Sequence, residues 1–220
     1  MIEEKFDKKI IFVDCFNTVI IRNKKNKDIL RSWAEILGQK YNIPWQDICK
    51  GYKNTNFNLC FKKIFTKLVL QEHFEVVLEK LHQKLQKKYN ELPKTDFIQS
   101  AKEIYIGQEM NSHRTNMDIV NLLTREKENG KKIYLVSDFY CPKEFLKNWL
   151  SNLQIENLFD DIFSSCDFDK EKSTTKLYRH LLKTLEVNPN DVIMLGDNAW
   201  SDVLMAKMCK IKAKKITFRG

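Results

Sequence analysis

Apolar residues along this chain follow two different rhythms. KKIIFVD, residues 8–14, is a short β-branched and aromatic run behind two lysines, the pattern of a strand buried in a parallel sheet, and it ends at Asp14. From about residue 27 to residue 128 the apolar positions recur every three or four residues. DILRSWAEILGQKY (28–41), NLCFKKIFTKLVL (58–70), FEVVLEKLHQKLQKKY (74–89) and NMDIVNLLTREKE (116–128) each predict a helix, with no strand interrupting them. The last third alternates. KKIYLVS (131–137), DDIFSS (160–165), DVIMLGD (191–197) and KAKKITF (212–218) predict strands, and KEFLKNWLSNL (143–153), STTKLYRHLLKTL (173–185) and WSDVLMAKMC (200–209) predict the helices between them.

Strand–helix alternation is the signature of an α/β fold with a doubly wound parallel sheet, which the isolated first strand completes. The helical block is then an insertion after strand one. This gives a core of residues 1–22 and 129–220 and an all-helical domain of residues 23–128, with Gly130 as the helix stop and Pro142 and Asp191 at later element starts.

Composition narrows the class without changing that outline. A chain of 220 residues with 43% hydrophobic side chains is long enough for one buried core and a smaller accessory domain. It contains no apolar run of membrane-spanning length, and MIEEKFDKKI lacks the features of a secretory signal, so a soluble cytoplasmic protein is expected. The six cysteines show neither a CxxC nor a Cys/His pairing, which speaks against a zinc site or a disulfide framework; Cys15 reads as a packing residue. The net charge of +9 comes from lysines interspersed with glutamates, not from a concentrated basic face. That pattern predicts no nucleic-acid partner, although it favours the approach of anionic metabolites.

Ligands of open α/β sheets bind at the carboxyl ends of the strands, so the polar residues ending the predicted strands, Asp14, Ser137 and Asp197, should converge. Together with Lys172, this ordered set resembles the haloacid dehalogenase superfamily. Asp14-Cys15-Phe16-Asn17-Thr18 resembles its first motif, Val136-Ser137 its second, Lys172 its third, and Gly196-Asp197-Asn198-Ala199-Trp200-Ser201-Asp202 its fourth. VDCFNTVIIR and LVSDFYCPKEFL further resemble a branch with FDxFDT and SDMY signatures, met in bacterial surface-polysaccharide and capsule functions. Lys172 is preferred to Lys170 because KSTTKLY resembles a family-like K-x-x-G-x-L-[FY], with Thr175 in place of the glycine.

The resemblance implies a core of Rossmann type, a helical cap that restricts substrates to small phosphorylated metabolites, and Mg²⁺ held by Asp14, the Phe16 backbone carbonyl and Asp197. It implies catalytic roles for Asp14 as nucleophile, Ser137 as donor to a phosphate oxygen, Lys172 as the neutralising cation and Asp202 as the group that fixes Lys172 or the metal's water shell. Thr18, Arg22, Asp138 and Asn198 are candidates for substrate contact. A carboxylate can attack phosphorus only when its charge and those of the phosphate oxygens are offset, which agrees with a cation and a lysine at one place.

One position departs from the pattern. Most phosphatases of the superfamily carry a second Asp two residues after the nucleophile as general acid and base, and here that residue is Phe16. Dehalogenases share an aromatic residue there but need no metal and usually lack the fourth-motif Asp, so Asp197 favours a phosphatase. A dehalogenase-type hydrolase and a catalytically silent binding module are the alternatives. Trp33, Trp45, Phe74 and Trp200 read as packing residues, Tyr140 as a loop residue, and His73, His82, His113 and His180 show no ligand spacing.

Overall fold

The computed structural model describes residues 6–63 and 70–217, and the side chains of these apart from 56–63 and 70–73. The chain divides into two compact units, Met1–Arg22 with Arg114–Gly220, and Asn23–His113. β1 (Ile10–Val13) and the three-residue β2 (Ile20–Arg22) precede the helical unit. That unit comprises α1 (Asn26–Tyr41), α2 (Trp45–Lys63), α3 (Leu70–Gln86) and α4 (Lys94–Met110). Each helix packs on its neighbours in a ring, α1 on α2 and α4, α3 on α2 and α4. Trp33, Leu37, Ile48, Leu78, Leu81 and Phe97 fill its centre, and the Trp33 indole donates to the Ala101 carbonyl at 2.8 Å.

The chain returns through β3 (His113–Thr115), which pairs with β2, and α5 (Met117–Glu128). The boundary between units therefore falls at residue 113, not at 128. Helix α5 does have the expected period, but its apolar face, Ile119, Val120, Leu122 and Leu123, is buried within the sheet-bearing unit, where α5 packs on the next strand. Periodicity reveals a buried face without saying which core receives it. The short strand β3 also interrupts the stretch expected to be wholly helical. Of the predicted helix at 58–70, residues 58–63 end α2 and residues 64–69 lie outside the described residues.

From α5 onward the alternation is as the sequence predicts: β4 (Lys132–Ser137), α6 (Lys143–Asn152), β5 (Asp161–Ser164), a short α7 (Ser165–Phe168), α8 (Lys176–Thr184), β6 (Val192–Gly196), α9 (Met205–Met208) and β7 (Lys212–Lys215). Before α9 runs a π-helical turn, Ala199–Leu204. The sheet has the order β5-β4-β1-β6-β7 with every pair parallel. Ile10 and Phe12 pack with Leu177, Tyr178 and Leu181 of α8 and Met205 and Ala206 of α9 on one face. Side chains alternate across a strand, so the fully buried Ile11 and Val13 face the opposite layer. On that account β1 is apolar at every position. Each such side chain is worth roughly 1.5–3 kcal/mol of burial.

Strand order reverses at β1: the chain builds outward through β4 and β5, then crosses to β6 and β7. In open parallel sheets, ligands bind at the carboxyl ends of the strands where the order reverses, here the ends of β4, β1 and β6. Among the described residues, no helix is long and apolar enough to cross a membrane.

Candidate active site

In-register pairing sets Val13, the last residue of β1, opposite both Leu135 and Leu195, and β4 and β6 run on only to Ser137 and Gly196. The Asp14 amide still belongs to the ladder, donating to the Leu195 carbonyl at 2.8 Å, so the carboxylate stands where the sheet ends. The chain then turns tightly. The Cys15 carbonyl accepts from the Val19 and Ile20 amides, and Asn17 takes a left-handed φ of 53°, which Asn tolerates better than most residues. This turn lets the Thr18 hydroxyl point back at Asp14 Oδ2, a long contact of 3.5 Å.

Lys172 is almost fully buried, and its ammonium lies 2.5 Å from Asp14 Oδ1 and 2.7 Å from Asp202 Oδ1. The other Asp202 oxygen accepts from the Asn198 amide at 3.0 Å. Gly196 makes this arrangement possible: a Cβ there would run into the Asp202 carboxylate. The π-helical turn that carries Asp202 is capped by the Asn198 side chain, which accepts from the Trp200 and Ser201 amides. The buried Tyr178 hydroxyl donates to the Ser201 carbonyl at 3.0 Å from beneath the same turn.

Asp14, Asp197 and Asp202 each offer a carboxylate oxygen, and all three lie within 4.8 Å of one another. Three carboxylates against the single Lys172 ammonium leave two negative charges uncompensated in a mostly buried place. Burial pushes the Asp14 carboxyl up to about 7, with Lys172 pulling against this and the charges of Asp202 and Asp197 reinforcing it. Burial and the neighbouring Asp202 likewise raise Asp197, against a hydrogen bond from the Asn17 side chain. Desolvation disfavours the Lys172 ammonium, yet the charges of Asp14 and Asp202 overcome it and hold the group protonated well above its ordinary range. Oxygen donors with an excess of two negative charges suit a hard divalent cation such as Mg²⁺. The Ser137 hydroxyl at the end of β4 is buried with no hydrogen-bond partner, a donor that a ligand oxygen would satisfy.

A family model described as haloacid dehalogenase-like hydrolase matches residues 8–210. The chain belongs to this family. Solved structures that it resembles include a magnesium-bound HAD-hydrolase from Bacillus subtilis (TM-score 0.63, 16% identity, covering 94% of this chain and 85% of that one). Others are a HAD phosphatase from Thermococcus onnurineus (0.62, 18%, 96% and 87%) and a 2-haloacid dehalogenase from Pseudomonas syringae (0.66, 13%, 94% and 85%). At such identities the likeness is one of fold. A curated relative, glyceraldehyde 3-phosphate phosphatase of Pyrococcus furiosus, is 30% identical over 91 residues, which is 41% of this chain and 37% of that protein.

In this HAD hydrolase the structure brings Asp14, Thr18, Lys172, Asp197 and Asp202 together. Of the other sequence candidates, Arg22 ends β2, and the Asn198 side chain is engaged as a helix cap. Asp138 accepts from the Lys172 amide at 2.8 Å and the Ser173 amide at 3.4 Å. Phe16 is half-buried, with its ring 4.7 Å from Phe139 and 5.5 Å from Trp149, so an aromatic cluster stands where related phosphatases carry an acid. Trp200 is not the packing residue expected: it is 56% exposed, and its indole N–H donates to the Ser173 carbonyl at 3.2 Å. Trp33 and Phe74 are buried in the helical unit, and the five cysteines whose side chains are described form no disulfide with one another. Asn17 and Tyr178 were not legible as site residues. The one signal for Asn17 is an Asn inside a strand-ending loop; Tyr178 has none, since its apolar spacing on α8 accounts for it fully.

Proposed function

We propose that this hydrolase is a magnesium-dependent phosphatase of small phosphomonoesters, with Asp14 as nucleophile. The observation that carries the reading is the uncompensated charge of the Asp14, Asp197 and Asp202 cluster beside Lys172, which a metal-free dehalogenase does not require. Asp14, the Phe16 carbonyl and Asp197 would hold the cation, with Asp202 at its edge. When bound, the ion supplies two positive charges and a Lewis acid for a phosphate oxygen.

The remaining steps belong to the chain. The Ser137 hydroxyl donates to one phosphoryl oxygen, and the Lys172 ammonium offsets the charge of the phosphoryl group and keeps the Asp14 carboxylate aimed. An Asp14 oxygen forms a bond to phosphorus as the ester P–O bond breaks, giving an aspartyl-phosphate and an alkoxide that takes a proton. Water then attacks that phosphorus, inorganic phosphate leaves, and the Asp14 carboxylate is restored. With Phe16 in place of the usual acid, the alkoxide draws its proton from solvent or from the substrate. We therefore favour phosphorylated amino alcohols, whose ammonium lies near the ester oxygen, alongside sugar phosphates. The sugar-phosphate class also fits the activity for which the Pyrococcus relative is named. The resemblance of VDCFNTVIIR and LVSDFYCPKEFL to the polysaccharide-associated branch makes surface-polysaccharide precursor synthesis in the cytoplasm the pathway we infer.

Phe16 favours a second reading, dehalogenation of 2-haloacids. Phosphate release from a panel of phosphomonoesters, with and without Mg²⁺ and with Asp14→Asn as blank, decides between them. Magnesium-dependent release abolished by Asp14→Asn is expected; halide release from 2-haloacids in EDTA, with no phosphate from any ester, would transfer the assignment to the dehalogenase.

A further inference from the structure

Lys172 does its work from an unpromising position, since it opens a three-residue 3₁₀ turn, Lys172–Thr174, and does not sit on a strand or a long helix. Such a turn begins with backbone N–H groups that lack partners inside it. The residue before it, Glu171, provides no side-chain cap. The partner comes from 34 residues upstream: Asp138, one residue past the end of β4, accepts from the Lys172 amide with Oδ1 at 2.8 Å and from the Ser173 amide with Oδ2 at 3.4 Å. A carboxylate suits this place because both of its oxygens accept, whereas an asparagine would turn an NH₂ donor towards one of the two amides.

We propose that Asp138 is a positioning residue that pins the Lys172 turn to the end of β4 and so sets where the Lys172 ammonium meets Asp14 and Asp202. The turn is held from its other side as well, by the Trp200 indole on the Ser173 carbonyl and by the Ser173 hydroxyl on Glu171 at 2.8 Å. Only Asp138 engages the Lys172 amide itself among the hydrogen bonds described. This gives Asp138 a role distinct from the substrate contact expected from the sequence, since its oxygens face the backbone amides of the Lys172 turn. A catalytic group misplaced by about 1 Å costs up to roughly a hundredfold in rate, and loss of an outer partner of a site residue typically costs 10–100-fold.

The catalytic half of the test rests on the phosphatase reading; the other half does not. Amide hydrogen exchange of Lys172 and Ser173, followed by NMR in the full-length protein, is compared among wild type, Asp138→Ala and Asp138→Asn. Alongside it, kcat and KM are measured with Mg²⁺ on the best phosphomonoester. Asp138→Ala is expected to speed exchange at both amides by about tenfold or more and to lower kcat by about 10–100-fold with KM nearly unchanged. Asp138→Asn is expected to keep much of the protection at Lys172 and to recover part of kcat. Equal exchange at Lys172 in wild type and Asp138→Ala would overturn the proposal, and so would a rise in KM at constant kcat, which would make Asp138 a substrate contact. If the wild type hydrolyses no phosphomonoester, the phosphatase reading fails and the exchange rates still decide the role of Asp138.

Discussion

Replacing Gly196 by alanine tests how the buried charges are held. All three heavy atoms nearest to a Cβ at this position belong to the Asp202 side chain, so the methyl group can be accommodated only if that carboxylate moves. Moving it removes two charge-assisted hydrogen bonds, to Lys172 at 2.7 Å and to the Asn198 amide at 3.0 Å. Each is worth roughly 1.5–3 kcal/mol. Gly196 is in ordinary extended backbone at the end of β6, so alanine gains about 0.4–1 kcal/mol from the lower entropy of the unfolded chain. The net loss is about 2–5 kcal/mol, or roughly 5–15 °C in Tm for a chain of this size. Urea and thermal unfolding in EDTA would measure it. The decisive step is a double-mutant cycle: in an Asp202→Gly background both the carboxylate and the Asp202 Cβ that the new methyl group would meet are gone, and Gly196→Ala should then cost under about 0.5 kcal/mol. Additive effects of the two substitutions would show that the cost comes from elsewhere and would refute the argument.

Two further expectations follow from backbone and charge. Thr175 takes a φ of 66°, unfavourable for a β-branched residue; Thr175→Gly should relieve about 1–2 kcal/mol of strain against about 0.5–1 kcal/mol of added chain entropy, and a lowered urea midpoint would contradict this. In cation-free protein the Asp14 carboxyl sits at about 7 when folded, above the ordinary 3.8. The folded state therefore binds the extra proton between these values, and the stability that Asp14 contributes relative to Asp14→Asn should fall as pH rises through that window, by up to about 1.4 kcal/mol per pH unit. A difference that grows from pH 5 to pH 7 would have the wrong sign.

The core was legible because its signals are local and repeated. Each strand of the parallel sheet is a short apolar run, and the polar residue at its end is visible as soon as the run stops. The helical unit was less legible. Helix α4 escaped because its apolar residues, from Phe97 to Ile106, spread around the axis, and α2 because Gly51, Asn54 and Thr55 interrupt the pattern before residue 58. Strands β2 and β3 are three residues each, too short for a period to register. Within the site, Asp14 and Asp197 could be placed from strand ends, and Lys172 and Asp202 from the resemblance to the family's motifs. The engagement of Asp138 with the Lys172 turn could not, because a hydrogen bond across 34 residues leaves no trace in spacing. Trp200 differs from its sequence pattern too: its apolar ring predicts burial, whereas the ring is exposed and its indole N–H donates to the Ser173 carbonyl.

The aromatic contacts of Phe16 also bear on how such a protein can change over generations. An aspartate at that position would place a charge against Phe139 and Trp149, whose rings now close around a benzyl group. One codon change could thus supply the acid used by relatives, but at the expense of the packing that shapes the loop carrying Asp14. Installing an acid at residue 16 without loss of stability therefore calls for a second, compensating substitution in the ring cluster.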